Sequence, residues 1–143
     1  MRRTGCCLCG AVRYVVDGPL RDVLVCHCVE CRRWAGRAWA ATAARRGDLV
    51  LIEQRGLRWL PVLRSDAGAS RGTCTDCGAS LFWDAPGRPT VSIGVGTLDD
   101  AGGLVLAGHV YVSAAQSWER PADGPLAFPG AYPAEAPPPA WRD

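Results

Sequence analysis

The sequence predicts a mainly β fold of antiparallel strands, with at most one or two short helices. Its apolar residues fall in short, often alternating runs, and Gly, Asp, Arg or Pro interrupts the runs every few positions. At 143 residues the chain also fits a single core of ordinary size rather than two independent ones.

Taken in order, residues 11–16 set Val12, Tyr14 and Val16 against Arg13 and Val15 and end at Asp17-Gly18-Pro19, the pattern of a strand running into a turn. Residues 22–26 repeat the type. Residues 28–37 form the best candidate for a short helix, opening at a cysteine pair and stopped by Gly36. Short apolar or alternating stretches over 39–43, 49–53, 57–63, 81–84, 90–95 and 109–113 extend the β reading. Residues 1–120 therefore read as the domain. Pro and Ala dominate residues 121–143, with Pro137-Pro138-Pro139 near the end, so this tail is expected to be extended or disordered.

Composition excludes several classes. Hydrophobic residues at 48% and charged residues at 21% match folded globular chains, not disordered ones. A formal net charge of +2, with scattered arginines, makes a nucleic-acid partner unlikely on charge grounds. No apolar run approaches the roughly 20 residues of a membrane helix, and none of about 7–15 residues follows Met1-Arg2-Arg3 to serve as a signal peptide. The expected location is cytoplasmic. All sixteen basic residues are arginine, which reflects codon usage and carries no functional weight.

The eight cysteines carry the chemistry. In a reducing compartment clustered thiols hold metal rather than disulfides. Seven of them fall in three blocks: Cys7-Leu8-Cys9, Cys26-His27-Cys28-Val29-Glu30-Cys31 and Cys74-Thr75-Asp76-Cys77. A structural zinc takes four protein ligands, whereas a catalytic one takes three and keeps a position for water or substrate. Seven divides as four plus three. Cys7, Cys9, Cys74 and Cys77 would make a closed site that staples distant segments. Cys26, Cys28 and Cys31 would make an open one. The spacing also allows the triplet to be closed by Cys6, Cys9 or His27. In an extended segment, however, His27 projects away from Cys26 and Cys28, which makes it a packed or supporting residue. Cys6 faces away from Cys7 by the same alternation.

The flanks of these blocks, Gly5 to Tyr14, Cys26 to Gly36 and Cys74 to Trp83, resemble the glutathione-dependent formaldehyde-activating enzyme family, which includes centromere protein V. Gly96-Thr97-Leu98-Asp99-Asp100, His109-Val110-Tyr111-Val112 and Trp118 look like later landmarks of that family, so only the tail lies outside the resemblance. The resemblance implies a β-tent fold, two zinc ions per chain divided as above, and carbon–sulfur bond formation between a thiol such as glutathione and formaldehyde. Cys26, Cys28 and Cys31 would then hold the catalytic zinc. The centromere relatives and the Pro-rich tail support a second expectation, a non-enzymatic zinc module that binds a protein or nucleic acid. Thr73 stands where many relatives carry an aromatic residue, and is expected to alter packing beside the structural zinc. Arg32, Arg33 and Arg37 could pair with the carboxylates of glutathione, although a solvated helix face is the stronger reading. His109 and Trp118 could line a pocket mouth, but a strand histidine and a lone tryptophan read more readily as core or rim residues and stay outside the catalytic set.

Overall fold

The computed structural model describes residues 1–65 and 67–143 and is mainly β. In chain order the elements are β1 (Arg2–Cys6), β2 (Arg13–Asp17), β3 (Leu20–Arg21), β4 (Val23–Cys26), α1 (Val29–Ala35), β5 (Trp39–Arg45), β6 (Leu49–Glu53) and β7 (Leu57–Pro61). They continue with β8 (Ser70–Cys74), β9 (Ser80–Asp84), β10 (Thr90–Gly94), β11 (Leu106–Val110) and β12 (Trp141–Arg142). Among the described residues no helix is long and apolar enough to cross a membrane.

Strands β1, β2 and β6 form a three-stranded sheet in the order β1-β2-β6. The larger sheet runs β11-β4-β5-β10-β9-β8-β7, with β3 joining β5 and β12 joining β3. Pairing is antiparallel throughout except at β4 and β11, which run parallel. The sequence pointed to antiparallel strands alone. A parallel partner needs a long connection, and β11 has one because it returns from far downstream.

The core lies between the two sheets. Val12, Tyr14 and Val16 of the small sheet and its approach meet Leu81, Phe82, Val91 and Ile93 of the large one. Tyr14 and Phe82 pack edge to face at 5.3 Å, and the Tyr14 hydroxyl meets the Thr97 hydroxyl at 2.8 Å. Burial pushes the ionisation of Tyr14 up, so it stays a neutral hydrogen-bonding group.

Three local outcomes refine the sequence reading. The expected helix over 28–37 is α1, with Cys28 as its N-cap and Gly36 as its C-cap at φ 87°. The strand expected over 109–113 stops at Val110, because Tyr111 takes a left-handed backbone at φ 55° and a 3-10 turn follows over Val112–Ala114. Strand β8 has little apolar pattern of its own. It is strand because it is flanked on both sides, pairing with β7 and with β9.

Residues 121–143 are mostly turns, bends and irregular chain, tied to the sheets by a few hydrogen bonds. Phe128 donates its backbone N–H to the His109 carbonyl at 2.9 Å. Trp141 and Arg142 pair with Arg21 and Leu20, and the Arg142 guanidinium grips the Asp22 carboxylate at 2.8 Å. This pairing holds the Asp22 carboxyl below its usual range.

Candidate metal centres and the cavities beside them

The fold gathers the seven patterned cysteines into two groups: Cys7 with Cys9, Cys74 and Cys77, and Cys26 with Cys28 and Cys31. Within each group the sulfur atoms lie within 4.8 Å of one another. Cys6 joins neither.

The four-cysteine group is built from two turns. Gly10 follows Cys9 at φ 82° and Gly78 follows Cys77 at φ 79°, so each turn closes through a left-handed residue that glycine adopts without strain. In the second turn the Gly78 N–H donates to the Cys74 carbonyl at 2.8 Å. The Cys7 sulfur accepts the Val12 N–H at 3.2 Å. The sulfur of Cys9 lies 3.7 Å from that of Cys7 and 3.8 Å from that of Cys74. A tetrahedron of thiolates at the usual zinc–sulfur distance of about 2.3 Å has edges of about 3.8 Å. The donor spacing and the soft donor set therefore fit zinc, and these separations are far too long for a disulfide. Burial pushes Cys74 up to about 12. At Cys77 burial is outweighed by hydrogen bonds, first from backbone N–H groups, which pull it down to about 6.

The three-cysteine group sits where β4 passes into α1. Cys26 ends the strand, Cys28 caps the helix by accepting the Cys31 N–H at 3.3 Å, and Cys31 is buried on the first turn. This is why the spacing is C-x-C-x-x-C: strand alternation brings residues two apart to one side, and one helical turn brings the third back to the cap. Hydrogen bonds from the Cys26 and Cys31 thiols, together with the Cys31 N–H and the nearby Arg71 charge, pull Cys28 down to about 2 against its burial. Donating to Cys28 pushes Cys26 up to about 11. Cys31 is driven up by its hydrogen bonds to both neighbours and by burial.

The pleat of β4 and β5 sorts alternate residues into two cavities. Leu24, Cys26, Cys28 and Ala41 line one of about 480 Å³, while Val25, His27, Ala38 and Ala40 line the other, of about 660 Å³. His27 thus faces away from the cysteines, as strand alternation predicts. Its Nε2 meets Nδ1 of His109 at 2.9 Å. Burial holds both imidazoles below the ordinary histidine value, so the pair is neutral and shares one hydrogen.

Arg71 is the neighbour that sequence reasoning missed. Buried on β8, it places Nη1 3.8 Å from the Cys31 sulfur, Nη2 3.5 Å from Glu30, and its guanidinium carbon 5.2 Å from the centre of the Trp34 ring. No local pattern marks an arginine in Ser70-Arg71-Gly72 as a site residue. Of the arginines considered from sequence, Arg37 pairs instead with Glu119 at 3.1 Å and stacks over Trp118, on the His27 side. Arg32 and Arg33 do not line the cysteine cavity. Thr73 also turned out differently: its hydroxyl accepts the Trp34 indole N–H at 2.7 Å, on the side of α1 rather than packed into the four-cysteine group. Ala131 and Tyr132, from beyond residue 120, complete one wall of the cysteine cavity.

The family described as glutathione-dependent formaldehyde-activating enzyme matches residues 2–114. A crystal structure of a Rhodobacter sphaeroides protein aligns with a TM-score of 0.57 and 25% identity, covering 72% of this chain and 97% of that one. No curated protein matches the chain.

Proposed function

Because the chain belongs to the glutathione-dependent formaldehyde-activating enzyme family, we propose that it is a zinc-dependent carbon–sulfur lyase that joins a thiol such as glutathione to formaldehyde or a related aldehyde. The observation that carries this reading is the three-cysteine group, which lines a cavity of its own apart from the four-cysteine group. Cys7, Cys9, Cys74 and Cys77 would hold a structural zinc, and Cys26, Cys28 and Cys31 a catalytic one. Zinc at the second site supplies Lewis-acid stabilisation of an incoming thiol as thiolate at neutral pH.

The chain's own groups provide the rest. The pleat directs the three sulfurs to one side and keeps the neutral histidine pair on the other, so no imidazole competes for the site. Arg71 sets a positive charge against Cys31, which favours accumulated thiolate charge there. Trp39 and Ala41 give the cavity an apolar wall that limits water around the reacting carbon. The reaction forms one carbon–sulfur bond. The thiol loses its proton, the aldehyde π pair moves to oxygen, and that oxygen takes up a proton to give S-hydroxymethylglutathione. The clustering of seven cysteines into two metal-type groups supports a reducing, cytoplasmic setting.

The test measures zinc per chain before and after added zinc, then the rate of adduct formation from glutathione and formaldehyde. Two equivalents of zinc, with acceleration over the spontaneous reaction that disappears in Cys28→Ser, are expected. A fully zinc-loaded protein that leaves the spontaneous rate unchanged across a panel of thiols and aldehydes overturns the reading.

A further inference from the structure

The cavity that holds Cys26, Cys28 and Cys31 is also lined by Arg21, Arg64, Arg71 and Arg88, and among the described residues its lining has one carboxylate, that of Glu30. Local charge balance explains only some of this excess. Arg71 is engaged by Glu30 and by the Cys31 sulfur. Arg21 donates Nε and Nη2 to the backbone carbonyls of Asp22 and Ala41, which fixes its position without neutralising its charge. Arg88 stacks over Trp83 with its guanidinium carbon 5.0 Å from the ring centre and forms no ion pair among the described residues. Arg21 and Arg88 line the same cavity, and burial first, then the charge of Arg88, pull Arg21 down to about 10. Arg21 is partly buried and Arg88 exposed at the mouth, and like charges on one cavity lining repel until an anion lies between them.

We propose that Arg21 and Arg88 form a carboxylate-binding wall beside the cysteine triad, so that the cavity selects thiols that carry carboxylates over neutral or cationic thiols. The inference rests on the reading of the triad as the thiol site and adds the residues that choose among thiols. Arg21 is pre-positioned by backbone acceptors and Arg88 by an aromatic face, so neither has to be ordered when the anion arrives. A cavity of about 480 Å³ has room for a small peptide thiol. The guanidinium fork suits a carboxylate, which it can bind through two parallel hydrogen bonds.

The test is calorimetric titration of the zinc-loaded protein, at low ionic strength, with S-methylglutathione and with its dimethyl ester. The probe has no thiol and is not turned over, so the result does not depend on whether the chain accelerates adduct formation. The acid should bind on the order of tenfold more tightly than the ester, and its advantage should shrink as salt is raised. Arg88→Gln should bring the two within about twofold, while Arg88→Lys, which keeps the charge, retains part of the difference. The salt titration on the unaltered protein needs no variant, so a poorly folding one does not block the test. Equal binding of acid and ester, no binding of the acid, or full discrimination by folded Arg88→Gln each overturns the proposal. Discrimination by a protein without lyase activity supports the arginine wall and counts only against the catalytic reading.

Discussion

The indole N–H of Trp34 donates to the hydroxyl of Thr73 at 2.7 Å, joining the helix that carries Cys31 to the strand that ends in Cys74. One hydrogen bond thus bridges the elements of the two cysteine groups. Trp34 also packs edge to face on Trp39 at 4.8 Å and takes the Arg71 guanidinium on its ring, so the link lies among the supports of the three-cysteine group.

Replacing Thr73 with Val keeps the shape and removes the acceptor, leaving the half-buried indole N–H without its partner. The expected cost is about 1 kcal/mol of stability, measured by urea denaturation of the zinc-loaded protein. Zinc affinity should fall more at the three-cysteine group than at the four-cysteine group, because α1 loses the tether. Equal loss at both would show that the bond does not act through the helix.

The two groups should differ in what they do for the fold. Cys74 is fully buried and meets Cys9 from 65 positions away along the chain, whereas Cys28 is only partly buried at a helix cap. Cys74→Ser is expected to unfold or aggregate the chain, and Cys28→Ser to leave it folded with one fewer zinc. Zinc analysis paired with a circular-dichroism melt reads both results, and equal destabilisation by the two substitutions would contradict the division.

Gly56 is a contact that composition does not mark. A Cβ placed there would come within 2.8 Å of the Ala11 Cβ and 2.9 Å of the Cys74 sulfur. Gly56→Ala should therefore overpack the four-cysteine group, lowering stability by about 1–3 kcal/mol and speeding zinc loss to a chelator. Chelation kinetics at fixed protein concentration provide the check.

The last strand should come off in acid. The Arg142 guanidinium holds the Asp22 carboxyl below its usual value, so the folded state binds that proton less readily than the unfolded chain. The stabilising contribution is fully present above the ordinary aspartate pKa of about 3.9 and is lost as pH falls through the lower folded value. At neutral pH Arg142→Gln should have the same effect, raising hydrogen exchange at Trp141 and Arg142 while β4 and β5 keep their protection. Unchanged exchange in that variant would show that β12 is held by strand pairing with β3 alone.

The cysteine groups of this chain were legible in its sequence wherever their members lie close together along it. C-x-C and C-x-x-C spacing limits where the sulfurs can point, because strand alternation and a single helical turn are local geometry. The same alternation correctly turned His27 away from Cys26 and Cys28, and Gly36 marked the end of α1. The family resemblance then extended the reading from Gly5 to Trp118, and the family match over residues 2–114 agrees with it.

What the tertiary structure decided depends on strands distant in sequence becoming neighbours. Strand β8 forms because β7 and β9 flank it, and only that pairing delivers Arg71 to Cys31 and Thr73 to Trp34. The parallel pairing of β11 with β4 brings His109 to His27, and the segment beyond residue 120 supplies Tyr132 to the cysteine cavity. Arg21 and Arg88 share that cavity although 67 positions separate them. Short-range spacing fixes which sulfurs can share a metal because the backbone offers few local geometries. Which charges surround those sulfurs is set by sheet order and packing, and no local pattern encodes those.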